Sequence, residues 1–136
     1  MSLKIENELG QMKISNTIIA QTIYKGVENL NLEDKIWPAT PRGRQIGMVS
    51  RFTDSELSMY INCCFNEKRI VVLEFNAIVR FGISIKKTTR LLSDFIYKNM
   101  NDYFGEGNVE ITINIVGVKS KQKARRNTKV MYRYEA

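Results

Sequence analysis

The stretch "VVLEFNAIVRFGISIKKTTRLLSDF", Val71 to Phe95, changes its hydrophobic period between Phe81 and Ser84. Before the change, Val71, Leu73, Phe75, Ala77, Val79 and Phe81 occupy every second position, and Glu74, Asn76 and Arg80 lie on the opposite side. That alternation predicts a strand with one buried face. After it, Ile85, Thr88, Leu92, Phe95 or Ile96, Asn99 and Tyr103 recur at helical spacing. Gly82 supplies a turn with positive φ, and Ser84 is the residue type that caps a helix. The helix is expected to run to about Tyr103, stopped by Gly105 and Gly107 of "FGEG". A second alternating strand follows in "VEITINIVGV", with Val109, Ile111, Ile113 and Ile115 set against Glu110, Thr112 and Asn114.

Working back towards the N-terminus, "LSMYINCCF" alternates Leu57, Met59, Ile61, Cys63 and Phe65 with polar positions, and "NEKR" is a polar turn. Two alternating runs joined by such a turn predict an antiparallel hairpin, with Cys63 inward and Cys64 outward. Further back, "GQMKIS" places Met12 and Ile14 on one face of a short strand. Ser15 or Asn16 then caps a helix whose stripe is Ile19, Ile23, Val27 and Leu30, widened by Ile18. Residues 31–56 hold Pro38, Pro41 and Trp37 without a sustained period, and are expected to be a long loop packed down by Trp37. The order is strand, helix, hairpin, helix, strand. This predicts an α+β fold, a two-layer βαββαβ domain over 1–118 with a mostly antiparallel sheet and two helices on one face.

The formal net charge is +7, but residues 1–118 hold 14 Lys+Arg against 13 Asp+Glu. The basicity therefore sits in 119–136, read as a basic C-terminal tail, "KSKQKARRNTKVMYRYEA". Lys119, Lys121, Lys123, Arg125, Arg126, Lys129 and Arg133 make it either an arm for phosphates, of nucleic acid or of anionic lipid, or a solvated, solubilising tail. Within it "TKVMYRY" alternates Val130, Tyr132 and Tyr134, the pattern of an edge strand. A second basic group is Arg80, Lys86, Lys87 and Arg90. Cations in the first turn of a helix oppose its macrodipole at a cost of a few tenths to about 1 kcal/mol. Lys86 and Lys87 either fill outward positions left over by the core or form, with both arginines, a corner for an acidic partner surface.

There is no histidine, which removes the commonest general base and metal ligand and every Ser–His or Cys–His pair. Adjacent Cys63 and Cys64 suit neither a mutual disulfide nor a zinc site. "GRQIG" lacks the Lys-Ser/Thr of a P-loop. The chain is expected not to be an enzyme, with no catalytic residue, metal or cofactor. A nucleic-acid or ribosome-associated module acting through the tail remains the alternative, although no Gly-x-x-Gly loop or paired-aromatic strand marks it. No apolar run approaches a bilayer span and no signal-peptide core precedes Gly10, so a cytoplasmic chain without a transmembrane segment is expected.

The second half, from "VVLEF" to "IVGV", resembles the alkaline shock protein (Gls general-stress) family of Gram-positive bacteria. The likeness rests on an apolar strand ending in an aromatic-Gly pair (Phe81-Gly82), Ile85 at the helix start, Gly105 in the turn and a strand closing in Val116-Gly117-Val118. The front segment "MKISNTIIAQTIYKGVENL", with Gly26-Val27, is similar to the family's first strand and helix. The resemblance implies a non-catalytic cytoplasmic protein of the envelope stress response and cell-envelope homeostasis. It implies a scaffold recruited through protein–protein interaction, by a small membrane-anchor protein in some members, with self-assembly in others. It defines no catalytic residue.

Overall fold

The computed structural model describes residues 4–6, 12–14, 16–46, 54–68, 70–105 and 107–135. In chain order these form β1 (Lys4–Glu6), β2 (Met12–Ile14), α1 (Asn16–Asn29), β3 (Ile36–Ala39), α2 (Asp54–Ser58), β4 (Asn62–Phe65), β5 (Val71–Arg80), α3 (Ile85–Phe104), β6 (Val109–Lys119) and β7 (Lys123–Tyr134). The sheet order is β1-β2-β4-β5-β6-β7, with β3 also paired to β5. β4 and β3 share one edge of β5 end to end: Phe65 to Asn62 face Val71 to Glu74, and Ala39 to Ile36 face Asn76 to Val79. β5 and β6 are parallel and joined through α3, and the other pairings are antiparallel. The fold is α+β, as the change of period at Phe81 predicts.

One cluster forms the core. Val71, Leu73, Phe75, Ala77 and Val79 of β5 and Val109, Ile111, Ile113 and Ile115 of β6 pack with Ile19, Ile23 and Val27 of α1 and Leu92, Ile96 and Met100 of α3. The helices meet at Gly26, where a Cβ would lie 2.8 Å from Leu92 Cδ1 and 2.9 Å from Phe95 Cδ1. Glycine there lets the two axes approach, and any larger residue has to displace α3's side chains. On the opposite face of the sheet, Asn114 Nδ2 donates to Glu74 Oε2 at 2.8 Å and to Asn76 Oδ1 at 3.3 Å, a polar row across β6 and β5.

The hairpin register holds at the cysteines: Cys63 is buried and Cys64 exposed. Burial, and then the neighbouring Cys64, pushes the Cys63 thiol from its ordinary 9.0 up to about 12. The folded chain thus keeps a proton that the unfolded chain loses, so this group's stabilisation is full below pH 9.0 and lost as pH rises towards about 12. A thiol reagent at about pH 8 should modify Cys64 well before Cys63, because only thiolate reacts and only Cys64 is reachable. Equal rates at both would contradict the register.

Four expectations are corrected. Leu57 and Met59 are not in a strand: Leu57 is buried within α2, while Met59 is 75% exposed in the turn that follows. The Asn16 side chain holds that turn by donating to the carbonyls of Ser58 at 3.0 Å and Ile61 at 2.8 Å, so alternation begins only at Ile61. Phe81 does not continue the buried face of β5. The strand ends at Arg80, Gly82 takes φ +89°, and Phe81 is left 71% exposed. On α3 the inward row ends at Met100, not at exposed Tyr103. The segment 31–56 is not wholly loop, since Ile36–Ala39 is β3, with Trp37 opposite Ile78. Ser15 and residues 47–53 lie outside the described residues.

The largest difference is at the C-terminus. Most of the segment 119–136, expected as a tail beyond a 1–118 domain, is strand β7, paired along β6 from Val109↔Tyr134 to Lys119↔Lys123. Its Tyr132 is buried, the hydroxyl 2.7 Å from Thr89 Oγ1 and donating to the Lys86 carbonyl at 3.0 Å. The Tyr134 ring stacks on Tyr97 at 4.2 Å, and its hydroxyl donates to Asp94 Oδ1 at 2.6 Å. Burial, with Asp94 beside it, raises the Tyr134 pKa. Aromatic residues on a basic strand are thus what attaches it to α3. The edge-strand pattern of Val130, Tyr132 and Tyr134 was the signal for this, and it extends well beyond "TKVMYRY".

Candidate functional site

The sequence singles out cations, and the structure divides them into paired and unpaired. Arg80 meets Asp34 Oδ2 at 3.2 Å, and Arg90 meets Asp94 Oδ1 at 3.4 Å while lying 5.3 Å from the Tyr132 ring centroid. Lys86 and Lys87 are exposed in the first turn of α3, where the Ser84 hydroxyl caps the Lys87 N–H at 3.1 Å. Two of the four members of the expected basic corner therefore already have carboxylate partners. Exposed pairs of this kind contribute only about 0–1 kcal/mol, so they set local charge rather than stability.

The C-terminal cations divide in the same way. Lys129 lies 4.0 Å from Glu74 Oε2, and Arg133 3.7 Å from Glu110 Oε2, both on the open face of the sheet. Lys119 donates to Gln45 Oε1 at 3.0 Å and sits 5.0 Å from the Trp37 ring centroid, tying the hairpin to the 40–46 segment. Lys121 is exposed in the β6–β7 turn, and Lys123 opens β7 opposite Lys119. Arg125 and Arg126 are exposed and line a cleft of about 670 Å³ with Asn127, Val116, Pro41 and Arg42.

The cleft has a local cause in the backbone. Pairing between β6 and β7 shifts register between Ile115 and Gly117, so Val116 on one strand faces Arg126 and Asn127 on the other without a regular pair. The β5–β6 register shifts at the same place. A bulge bends a strand and re-aims its side chains, and here it takes Arg126 and Asn127 out of the regular alternation beside Arg125, which still pairs with Gly117. The opposite wall is the turn from Thr40 to Gly43. The Thr40 carbonyl accepts from the Gly43 N–H at 2.9 Å, its hydroxyl accepts from the Arg44 N–H at 3.1 Å, and Gly43 takes φ +90°. Pro41 sets the turn and Arg42 projects from its centre. Sequence reading missed Arg42 because it lies in a segment without period; the "TPRG" turn is the signal that marks it.

Among the described residues no group of His, Cys, Asp and Glu side chains is placed to hold a metal ion. Among them, too, no helix is long and apolar enough to cross a membrane. Comparison with family models, curated proteins and solved structures finds no match to this chain.

Proposed function

We propose that this chain is a non-catalytic, cytoplasmic scaffold of cell-envelope stress and homeostasis, of the alkaline shock (Gls general-stress) type. In this reading it is recruited by a protein partner such as a small membrane-anchor protein. The observation that carries it is Phe81. It is the aromatic of the aromatic-Gly pair on which the resemblance rests, it continues the apolar alternation of β5, and yet it is 71% exposed. Its backbone is fixed, since its N–H donates to the Lys119 carbonyl at 2.8 Å and Gly82 holds the turn. A large apolar side chain presented by a rigid turn, followed by exposed Lys86 and Lys87 in the first turn of the next helix, has the composition of an interface anchor with a cationic rim. The lack of any histidine supports the non-catalytic part of the reading.

The test is site-directed photocrosslinking in cells, with benzoylphenylalanine placed at Phe81 or, as control, at exposed Lys98 of α3. A discrete adduct with a membrane-fraction protein from the Phe81 position only is the expected result. No adduct, or the same adducts from both positions, would remove the proposal.

A further inference from the structure

The described arginines divide by partner. Arg44, Arg80, Arg90 and Arg133 each have a carboxylate within 4.0 Å. Arg42, Arg125 and Arg126 have no ion pair among the described residues, and all three line the cleft at the β6–β7 bulge. None of its lining residues is acidic. Arg126 uses its Nε on Thr128 Oγ1 at 2.8 Å, which orients the guanidinium and leaves its terminal nitrogens for another acceptor. Like charges gathered in one concavity repel each other, and the arrangement gains most from an anion that accepts from several guanidinium forks at once.

We propose that this cleft binds the phosphate backbone of a single-stranded nucleic acid. The guanidinium fork matches phosphate geometry, and two of the three arginines stand on a paired strand, Arg126 within its bulge and Arg125 next to it, rather than trailing from a mobile tail. The depression is shallow and open to solvent, which suits a strand laid across it better than a small molecule enclosed in it. Val116 and Pro41 add an apolar surface, and Asn127 adds an amide that donates and accepts. Lys119 and Lys121, near the tip of the same hairpin, extend the positive track. A lipid surface fits less well. Among the described residues the exposed large apolar side chains are Met59, Phe81, Leu91, Tyr103 and Met131, and none of these lines the cleft to insert beside a headgroup. This proposal does not rest on the Phe81 reading.

The experiment measures binding of the whole chain to short fluorescent single strands of RNA and DNA, and to phosphatidylserine vesicles, over a range of salt. Both strands are expected to bind, with affinity falling linearly on a log–log plot against salt. Arg42→Ala/Arg125→Ala/Arg126→Ala should weaken binding at low salt by at least about tenfold. It should also make the slope shallower by about 2, since each phosphate contact on a single strand contributes about 0.7. Arg42→Ala alone, a change at an exposed turn position, should give about a third of that slope change, so the result does not depend on the triple variant folding. Lys25→Ala/Lys98→Ala, on the helical layer, should leave both quantities unchanged. Tighter binding of RNA than of DNA, or the reverse, would identify which strand the cleft prefers and support it either way. An unchanged slope in the arginine variants, an equal loss in the lysine pair, or capture by vesicles without strand binding would overturn the proposal.

Discussion

Ending the chain at Val118 is expected to unfold the protein, not to trim it. The removed residues include all of β7, which pairs along β6, packs Val130 and Tyr134 against the core cluster and buries Tyr132 against α3. Burying a large side chain contributes about 1.5–3 kcal/mol, so these three supply something on the order of 5 kcal/mol. A domain of this size has about 5–15 kcal/mol in total. Truncation also strips the hydroxyl partners of Thr89 and Ser93, both buried in α3. It leaves Ile111, Ile113 and Ile115 on a bare sheet edge, an aggregation-prone surface. Far-ultraviolet circular dichroism and gel filtration check this: loss of the cooperative thermal transition, or soluble aggregate, is the expected outcome. A truncated monomer that still melts cooperatively would show that β7 is dispensable. For the same reason, anion binding by the C-terminal cations has to be tested by point substitution, because truncation would remove the fold together with the charge.

Phe75→Ala is expected to cost about 3–5 kcal/mol of unfolding free energy, measured by urea denaturation. Phe75 is 1% exposed at the middle of β5, opposite Ile113 of β6, and is among the largest fully buried side chains. The cavity would lie between the sheet and both helices, where neighbours on three elements cannot all relax inward. Phe81→Ala, in the same alternating run, should change stability by under about 0.5 kcal/mol, since a side chain 71% exposed has little burial to lose. The contrast makes the measurement internally controlled. A loss below about 1 kcal/mol at Phe75, or equal losses at both positions, would mean that the assignment of faces is wrong.

Those two phenylalanines also mark how far sequence reasoning carries. The strand at Val71–Arg80, the Gly82 turn, the Ser84 cap, α3, and the opposite fates of Cys63 and Cys64 were all legible, because each depends on neighbours a few residues away. Periodicity, a cap and a glycine with positive φ are local properties of the chain. Where a run stops was less legible. Nothing between Val79 and Phe81 says that the buried face ends, and nothing at Leu57 says that alternation has not yet begun. Those boundaries are decided by contacts distant in sequence: the Asn16 amide on the carbonyls of Ser58 and Ile61, and the Lys119 carbonyl on the Phe81 N–H.

The C-terminal segment shows the same division most clearly. Its composition established that it is basic, and the alternation of its residues that Val130, Tyr132 and Tyr134 share a face. Whether it forms a free arm or a strand depended on what those tyrosines meet, and Thr89, Ser93, Asp94 and Tyr97 of α3 are known to be there only once the helix is laid over β6 and β7. Arg42 joins Arg125 and Arg126 for a similar reason. A turn at Thr40–Gly43 and a bulge at Val116 are separated by most of the domain in sequence, and β3 pairing on β5 is what brings the turn back over the bulge. Local pattern specifies the elements, and long-range pairing decides which side chains share a site.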